Sequence, residues 1–294
     1  MKKVVVLVGP TAVGKTSLSI ELAKELNAEI ISGDSIQVFK DFSIGSGKVK
    51  REEMLDIPHH CIDILAPKDK FSVADFQKIA REKIDEISAR NHLPMIVGGT
   101  GLYIKACIYD YEFSTQEEAD EEIIKKLEAM NNEELVMELQ KIDPEQAQAI
   151  HPNNRKRLIR ALLIYEMTAI TKSDQIASQE HKPIYDAFII GCTMDRATLY
   201  ERINERVDMM VEEGLLDEIK GLLAQGVNFD DHAMQGIGYR EWRAYFDKTM
   251  TKDEVIEEIK KHSRQFAKRH WVDMQEPDSI KQLKKMLETW RSEQ

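Results

Sequence analysis

Cysteine is scarce and unpaired. The three in the chain, Cys61, Cys107 and Cys192, are odd in number and form no C-x-x-C pair, which excludes a disulfide framework and a zinc ribbon. Long apolar runs are missing as well: none approaches the ~18 residues that a bilayer-spanning helix needs, so a membrane protein is excluded. The opening MKKVVVLVGPT has basic then apolar residues in the manner of an export signal. Its apolar run covers only residues 4–8, short of the ~7–15 of a signal core, and no A-x-A site follows. The chain is therefore expected in the cytoplasm. Internal repeats and low-complexity tracts are also lacking. With 42% hydrophobic and 32% charged residues, disorder is excluded, and 294 residues suggest two domains or one with an insertion.

Positive charge is in deficit overall. A formal net charge of −11 argues against a nucleic-acid partner, because phosphate binding wants Lys and Arg. The signs are segregated, however. Acids dominate residues 112–138, opposed only by Lys125 and Lys126, whereas Arg155, Lys156, Arg157 and Arg160 cluster, as do Lys260, Lys261, Arg264, Lys268 and Arg269. A local basic surface stays open.

Along the chain, residues 4–8 are a continuous β-branched and apolar run, the pattern of a strand buried on both faces. Residues 17–26 carry Leu18, Leu22 and Leu26 at helical spacing. Short apolar runs at 29–31 and 95–97 end in Ser32-Gly33-Asp34 and Gly98-Gly99-Thr100, and a helix over 73–90 fits between them with Phe76, Ile79, Ile84 and Ile87 inward. A last strand is expected at 187–192. This alternation predicts a parallel-sheet α/β core. A polar, mostly helical stretch, 112–185, reads as an insertion, leaving 1–111 and 186–294 as the core with C-terminal helices. Asp195 is expected to cap a helix bearing Leu199, Ile203, Val207 and Val211, and Thr251 with Glu254 forms a capping box for another. The Met209-Met210 pair is read as core packing.

Gly9-Pro-Thr-Ala-Val-Gly14-Lys15-Thr16 matches the phosphate-loop pattern G-x-x-x-x-G-K-[ST], placed as it must be between a strand and a helix. The glycines let backbone N–H groups from Gly9, Thr11, Ala12, Val13 and Gly14 onward converge on an oxyanion. The helix N-terminus adds its dipole, Lys15 a point charge, and the Thr16 hydroxyl a ligand for Mg²⁺. Thr171-Lys172-Ser173-Asp174 imitates a guanine-reading motif, but no aspartate has Gly three residues on, which argues against a GTPase. In an open α/β sheet the chemistry sits at the strand ends. Here those are Asp34-Ser35-Ile36-Gln37-Val38-Phe39 and Gly98-Gly99-Thr100-Gly101-Leu102-Tyr103; taken alone, Asp34 also reads as a turn cap and Thr100 as a helix cap. His59, His60 and Cys61 lack a matching second pair of ligands and are read as structural or as a substrate gate rather than a metal site.

Five further stretches complete a series: Pro58-His59-His60-Cys61-Ile62-Asp63, Phe71 to Phe76, His151 to Arg160, Gln235-Gly-Ile-Gly-Tyr239-Arg-Glu241, and Arg264 to Arg269. With the phosphate loop and both strand-end motifs they resemble, in order and spacing across residues 4–271, the tRNA dimethylallyltransferases. The resemblance implies a phosphate-loop α/β core with a helical insertion. It also implies transfer of a dimethylallyl group from its diphosphate to the exocyclic amine of the adenine 3′ of the tRNA anticodon. The loop would then hold an isoprenoid diphosphate, with Mg²⁺ at Thr16, instead of a nucleotide. Asp34 would accept the amine's proton, Thr100 would hydrogen-bond it, and Lys15 with Arg206 would hold the leaving group. The RNA would flip its target base into a channel, meeting Asp34, Ser35, Ile36, Gln37 and Thr100. Lys156, Arg157, Leu158, Ile159 and Arg160, with Lys260, Arg264 and Lys268, would grip its backbone. Partners are thus the anticodon stem-loop and dimethylallyl diphosphate, the working unit a monomer. The chain departs from the family at Phe39 (more often Tyr), Thr168-Ala169 (usually Thr-Gly) and Gly236 (usually Ala), and lacks the zinc finger of eukaryotic members. The competing readings are an ATP-dependent phosphate-loop kinase of a small metabolite or nucleoside, and a non-catalytic RNA-binding or nucleotide-sensing module.

Overall fold

A computed structural model describes residues 1–113, 121–267 and 277–292, with side chains described for all of these except 277–282. Contacts divide the chain into two compact units: Met1–Ile108 with Pro183–Gln294, and Tyr109–Lys182.

The first unit is built on a five-stranded parallel sheet in the order β3-β2-β4-β1-β5. Its strands are β1 (Lys3–Val8), β2 (Ala28–Ser32), β3 (His59–His60), β4 (Leu93–Gly98) and β5 (Asp186–Gly191). Val4, Val5, Val6 and Leu7 are fully buried, as a central strand covered on both faces requires. The expected runs at 4–8, 29–31 and 95–97 are thus β1, β2 and β4, each slightly longer. The strand expected at 187–192 begins one residue earlier; it is the sheet edge, and Ile189 there is exposed. Sequence reading missed β3, because two residues carry no periodicity. It exists through pairing, His59 with Ile30 and His60 with Ile31.

Helices α1 (Lys15–Leu26), α2 (Val73–Ala89) and α3 (Gly101–Ile108) connect these strands. Ser72 and Asp75 close a capping box at the start of α2, and Phe76, Ala80, Ile84 and Ile87 are its buried stripe. Ile79, expected in that stripe, is only partly buried, one position off its centre.

The second unit holds α4 (Glu121–Ala129), α5 (Asn132–Ile142), α6 (Pro144–Ala149), α7 (Arg155–Thr168) and α8 (Lys172–Ala177) around their own core of Leu127, Leu135, Leu139, Leu158 and Leu162. Ala169 ends α7 in the left-handed region at φ 54°. The guanine-reader look-alike is a helix cap: Thr171 accepts from the Asp174 N–H at the start of α8.

Back in the first unit, α9 (Arg196–Glu212), α10 (Leu215–Ala224), α11 (Arg243–Phe246), α12 (Lys252–Ala267) and α13 (Pro277–Ser292) follow. Asp195 caps α9 through the N–H groups of Ala197 and Thr198, and Thr251 and Glu254 exchange hydrogen bonds before α12. Helix is not continuous, however: between α10 and α11 only the 3-10 turns His232–Gln235 and Arg240–Trp242 are regular. No helix among the described residues is long and apolar enough to cross a membrane.

Candidate active site

The loops leaving β1, β2 and β4 meet at the carboxyl edge of the sheet. Their approach is close: Gly33 N–H donates to the Val97 carbonyl at 2.7 Å, and a methyl on Gly98 would lie 2.5 Å from the Gly33 carbonyl oxygen. Glycine at the end of β4 is what lets the β2 and β4 loops touch. Above them opens a cleft of about 800 Å³, walled by these loops, by loop 45–47, by α9 and α12, and by the turn at 235–240.

One side of the cleft is an anion cradle. Ala12 (φ 64°) and Gly14 (φ 96°) take left-handed conformations, which turns successive N–H groups inward. Gly14 precedes α1 without a side-chain cap, and the first turn of α1 holds no acid, so its N–H groups and dipole stay available to an anion. Val13 turns its side chain into the core and contributes backbone alone. Lys15 folds back, its Nζ donating to the carbonyls of Gly9 (2.9 Å) and Pro10 (2.7 Å). Burial, helped by the positive charge of Arg206 and opposed by Cys192 and Asp34, lowers its ammonium to about 8. Burial likewise lowers the Arg206 guanidinium, with Asp34 opposing. That guanidinium has no hydrogen-bond or ion-pair partner among the described residues.

Across from the cradle is Asp34. Its Oδ1 accepts from the N–H groups of Ile36 (2.8 Å) and Gln37 (3.2 Å), so it does cap a turn. Oδ2 has no hydrogen bond among the described residues, which leaves the fixed carboxylate one free acceptor. Ser35, Ile36 and Thr100 also line the cleft. The Thr100 carbonyl accepts from the N–H groups of Tyr103 (3.0 Å) and Ile104 (3.3 Å) in the first turn of α3, and its side chain takes no part in the cap. An exposed hydroxyl at Thr16 and the carboxylates of Asp34 and Glu205 are among the cleft's hard oxygen donors. No trio of His, Cys, Asp or Glu among the described residues could hold a metal. A metal here would draw most of its ligands from a bound phosphate and water, a donor set that suits Mg²⁺.

Comparison with known proteins places this arrangement. The profile described as IPP transferase matches residues 37–272, and that described as isopentenyl transferase matches residues 2–64. The chain belongs to the IPP transferase family. The tRNA dimethylallyltransferase of Bacillus subtilis (strain 168) is 49% identical over 97% of this chain and 95% of that protein. The crystal structure of the full-length tRNA isopentenylpyrophosphate transferase of Bacillus halodurans superposes with a TM-score of 0.74 at 43% identity, covering 99% of this chain and 97% of that one. A eukaryotic dimethylallyltransferase acting on tRNA superposes at 0.80 and 31% identity, over 92% of this chain and 69% of that one. The family's α/β architecture with added helices is the one found here.

Other expected contacts are placed differently. Gln37 does not present a free amide: its Oε1 accepts from Ser32 and its Nε2 donates to the carbonyls of Ser46 and Gly47, bracketing the cleft wall. On α7, Lys156, Arg157 and Arg160 are exposed. Leu158 is fully buried in the helical core, out of reach of RNA, and Ile159 is partly buried beside it. Arg155 is spent on Asn132 and the carbonyls of Leu127 and Glu128. On α12, Lys260 is tied to Asp208 and Glu257, and Arg264 donates to Asn204 at 2.5 Å. Lys268 lies outside the described residues, as does Arg269.

The methionine pair is a correction. Met209 is 55% exposed, on the side of α9 away from Ile203 and Val207, and both methionines line the cleft. Phe39 is fully buried against Phe42 and His232. Gly236 packs on Ile36, 3.1 Å from where a methyl would sit. Of the His-His-Cys run, His59 lines the cleft, His60 pairs with buried Glu29 at 2.6 Å, and Cys61 is buried, its thiol pushed up to about 11 by desolvation. Sequence reasoning gave no role to Glu218, Tyr239 or Glu241. The two last stand in a motif that marks them, but nothing local marks Glu218.

Proposed function

We propose that this chain transfers a dimethylallyl group from dimethylallyl diphosphate to the exocyclic amine of the adenine 3′ of a tRNA anticodon, releasing diphosphate. One observation carries the reading: an uncapped, acid-free helix N-terminus with a buried lysine faces the same cleft as a fixed carboxylate with one free oxygen. The cradle suits a leaving group that gains negative charge, and the carboxylate suits a nucleophile that must lose a proton.

In the reaction the allylic C–O bond breaks and its electron pair leaves on the diphosphate. The N–H groups of the phosphate loop, Lys15 and Arg206 stabilise that charge where it develops. Lys15 exchanges its own-loop carbonyls for the diphosphate. A C–N bond forms from the amine, whose lone pair is delocalised into the purine ring, and the amine proton passes to Oδ2 of Asp34. Oδ1 stays on the turn, so the carboxylate is aimed before substrate arrives. Thr100 offers the second hydrogen bond to the amine. Mg²⁺, held by Thr16 and by the diphosphate, would neutralise part of the leaving group's charge.

A stacked anticodon base cannot reach a cradle at the floor of a cleft, so the target nucleotide flips in. Exposed Lys156, Arg157 and Arg160 are the proposed backbone contacts. A tRNA substrate makes the cytoplasm the place of action.

The test is transfer from dimethylallyl diphosphate with Mg²⁺ and unmodified tRNA. Prenylated adenine and free diphosphate should appear; ATP consumption with an inert diphosphate would mean a kinase. Asp34→Asn keeps Oδ1 for the turn and should retain tRNA affinity while slowing single-turnover transfer by about 10²–10⁴-fold. Wild-type single-turnover rates in that variant would remove Asp34 from the chemistry.

A further inference from the structure

A carboxylate remote from the chemistry organises one wall of the cleft. Glu218, on α10, accepts three successive backbone N–H groups of loop 43–47: Ser43 at 3.0 Å, Ile44 at 2.7 Å and Gly45 at 3.2 Å. The Tyr239 hydroxyl donates to the same carboxylate at 2.7 Å and accepts from the Ser46 N–H at 3.1 Å. Tyr239 is fully buried, and a methyl on Gly45 would lie 2.5 Å from its ring. The loop therefore rests flat on the tyrosine and is stitched to the glutamate. From the other side, the Gln37 amide holds the carbonyls of Ser46 and Gly47.

What this stitched loop supports is Arg206. Gly47, at φ 59°, packs directly under the guanidinium, and a methyl there would collide with it. Since no acceptor among the described residues holds that guanidinium, its place between the phosphate cradle and Asp34 is set by packing against Gly47. The three-amide nest filled by Glu218 fixes a loop position to which a desolvated arginine, without a partner among the described residues, is fitted.

We infer that Glu218 and Tyr239 are positioning residues for prenyl transfer, acting through loop 43–47 to hold Arg206 over the diphosphate. This rests on the leaving-group role given to Arg206 above. In the full-length protein, Glu218→Gln keeps one acceptor oxygen but presents an amide to the Ser43 and Ile44 N–H groups, and Tyr239→Phe keeps the ring while removing its hydroxyl. Each should slow single-turnover transfer at saturating donor and tRNA, on the order of ten- to a hundredfold, as loss of alignment does. The Kd for tRNA should stay within about twofold. The deciding measurement is the double-mutant cycle with Arg206→Gln. Either variant added to Arg206→Gln should cost no more than about twofold beyond Arg206→Gln alone, because the arginine it positions is gone. Losses that multiply, or that appear in tRNA affinity instead of transfer, would overturn the inference. Should Glu218→Gln fail to fold, Tyr239→Phe decides the same cycle. A wild-type rate for Arg206→Gln by itself would fell the role of Arg206 and this inference with it. A slow Arg206→Gln with multiplying losses would fell this inference alone.

Discussion

Lys15 shows how one side chain can be tuned by being kept away from its ligand. Buried against its own loop, with Arg206 adding positive charge nearby, its ammonium titrates at about 8 in place of the ordinary 10.5. The sign follows from linkage: the diphosphate prefers the protonated lysine, so affinity is full below that value and falls as pH rises through it. KM for dimethylallyl diphosphate should therefore climb above pH 8 by up to about tenfold per unit, with tRNA affinity little changed. A donor KM flat from pH 7 to 9.5 would mean that Lys15 is not desolvated as described. A second residue pays for a backbone conformation. Ala169 ends α7 at φ 54°, where a Cβ costs roughly 1–2 kcal/mol. Ala169→Gly should stabilise the chain by about 0.5–1 kcal/mol after the loss in unfolded-chain entropy, read as a higher urea midpoint at unchanged m.

At the scale of elements, buried Glu29 on β2 gathers three partners: His60 of β3 at 2.6 Å, Arg90 after α2 at 2.8 Å and His92 before β4 at 2.8 Å. Burial raises its pKa, but hydrogen bonds from Arg90, His60 and His92 outweigh that and hold it near 2. A carboxylate held below its unfolded value of 4.5 stabilises the fold above that pH and loses the effect as pH falls toward 2. Glu29→Gln should cost on the order of 1.5–3 kcal/mol at pH 7, and the gap to wild type should close between pH 4.5 and 2 in urea titrations. A constant gap would show that packing, not charge, sets its worth. This element also marks where sequence reading stopped. The run at 4–8, the stripe of α2, the Asp195 cap and the phosphate loop were legible, since each is written in adjacent or helically spaced residues. The two residues of β3 exist only because β2 is beside them. Glu218 meets loop 43–47 across some 170 positions, and Met209 looked like core because hydrophobicity does not say which side of a helix is covered. The carboxylate and loop of the candidate site were visible in advance, whereas the side chains that aim them were not.

For the whole molecule, a net charge of −11 has to be reconciled with a polyanionic partner. Several basic side chains on the helical unit are already answered by acids: Lys125 pairs with Glu121, Lys126 with Glu166 and Lys141 with Glu138. On α12 the same holds for Lys260 and Lys261. Arg157 and Arg160 are exposed on α7 without an acid within ion-pair distance among the described residues, and Arg160 depresses the Lys172 pKa by its charge, second to burial. Unanswered cations of this kind release counterions when they meet phosphates, while paired ones give little back. Replacing both arginines by Gln should therefore weaken tRNA binding and flatten the slope of log K against log salt by roughly 1.4–1.8, about 0.7–0.9 per lost phosphate contact. Transfer at saturating tRNA should be unaffected, because the reacting groups lie in the α/β unit. The same double replacement with Lys125 and Lys126 should leave the slope where it was. If the two pairs gave equal slopes, the RNA would have to be held by charges other than those on α7.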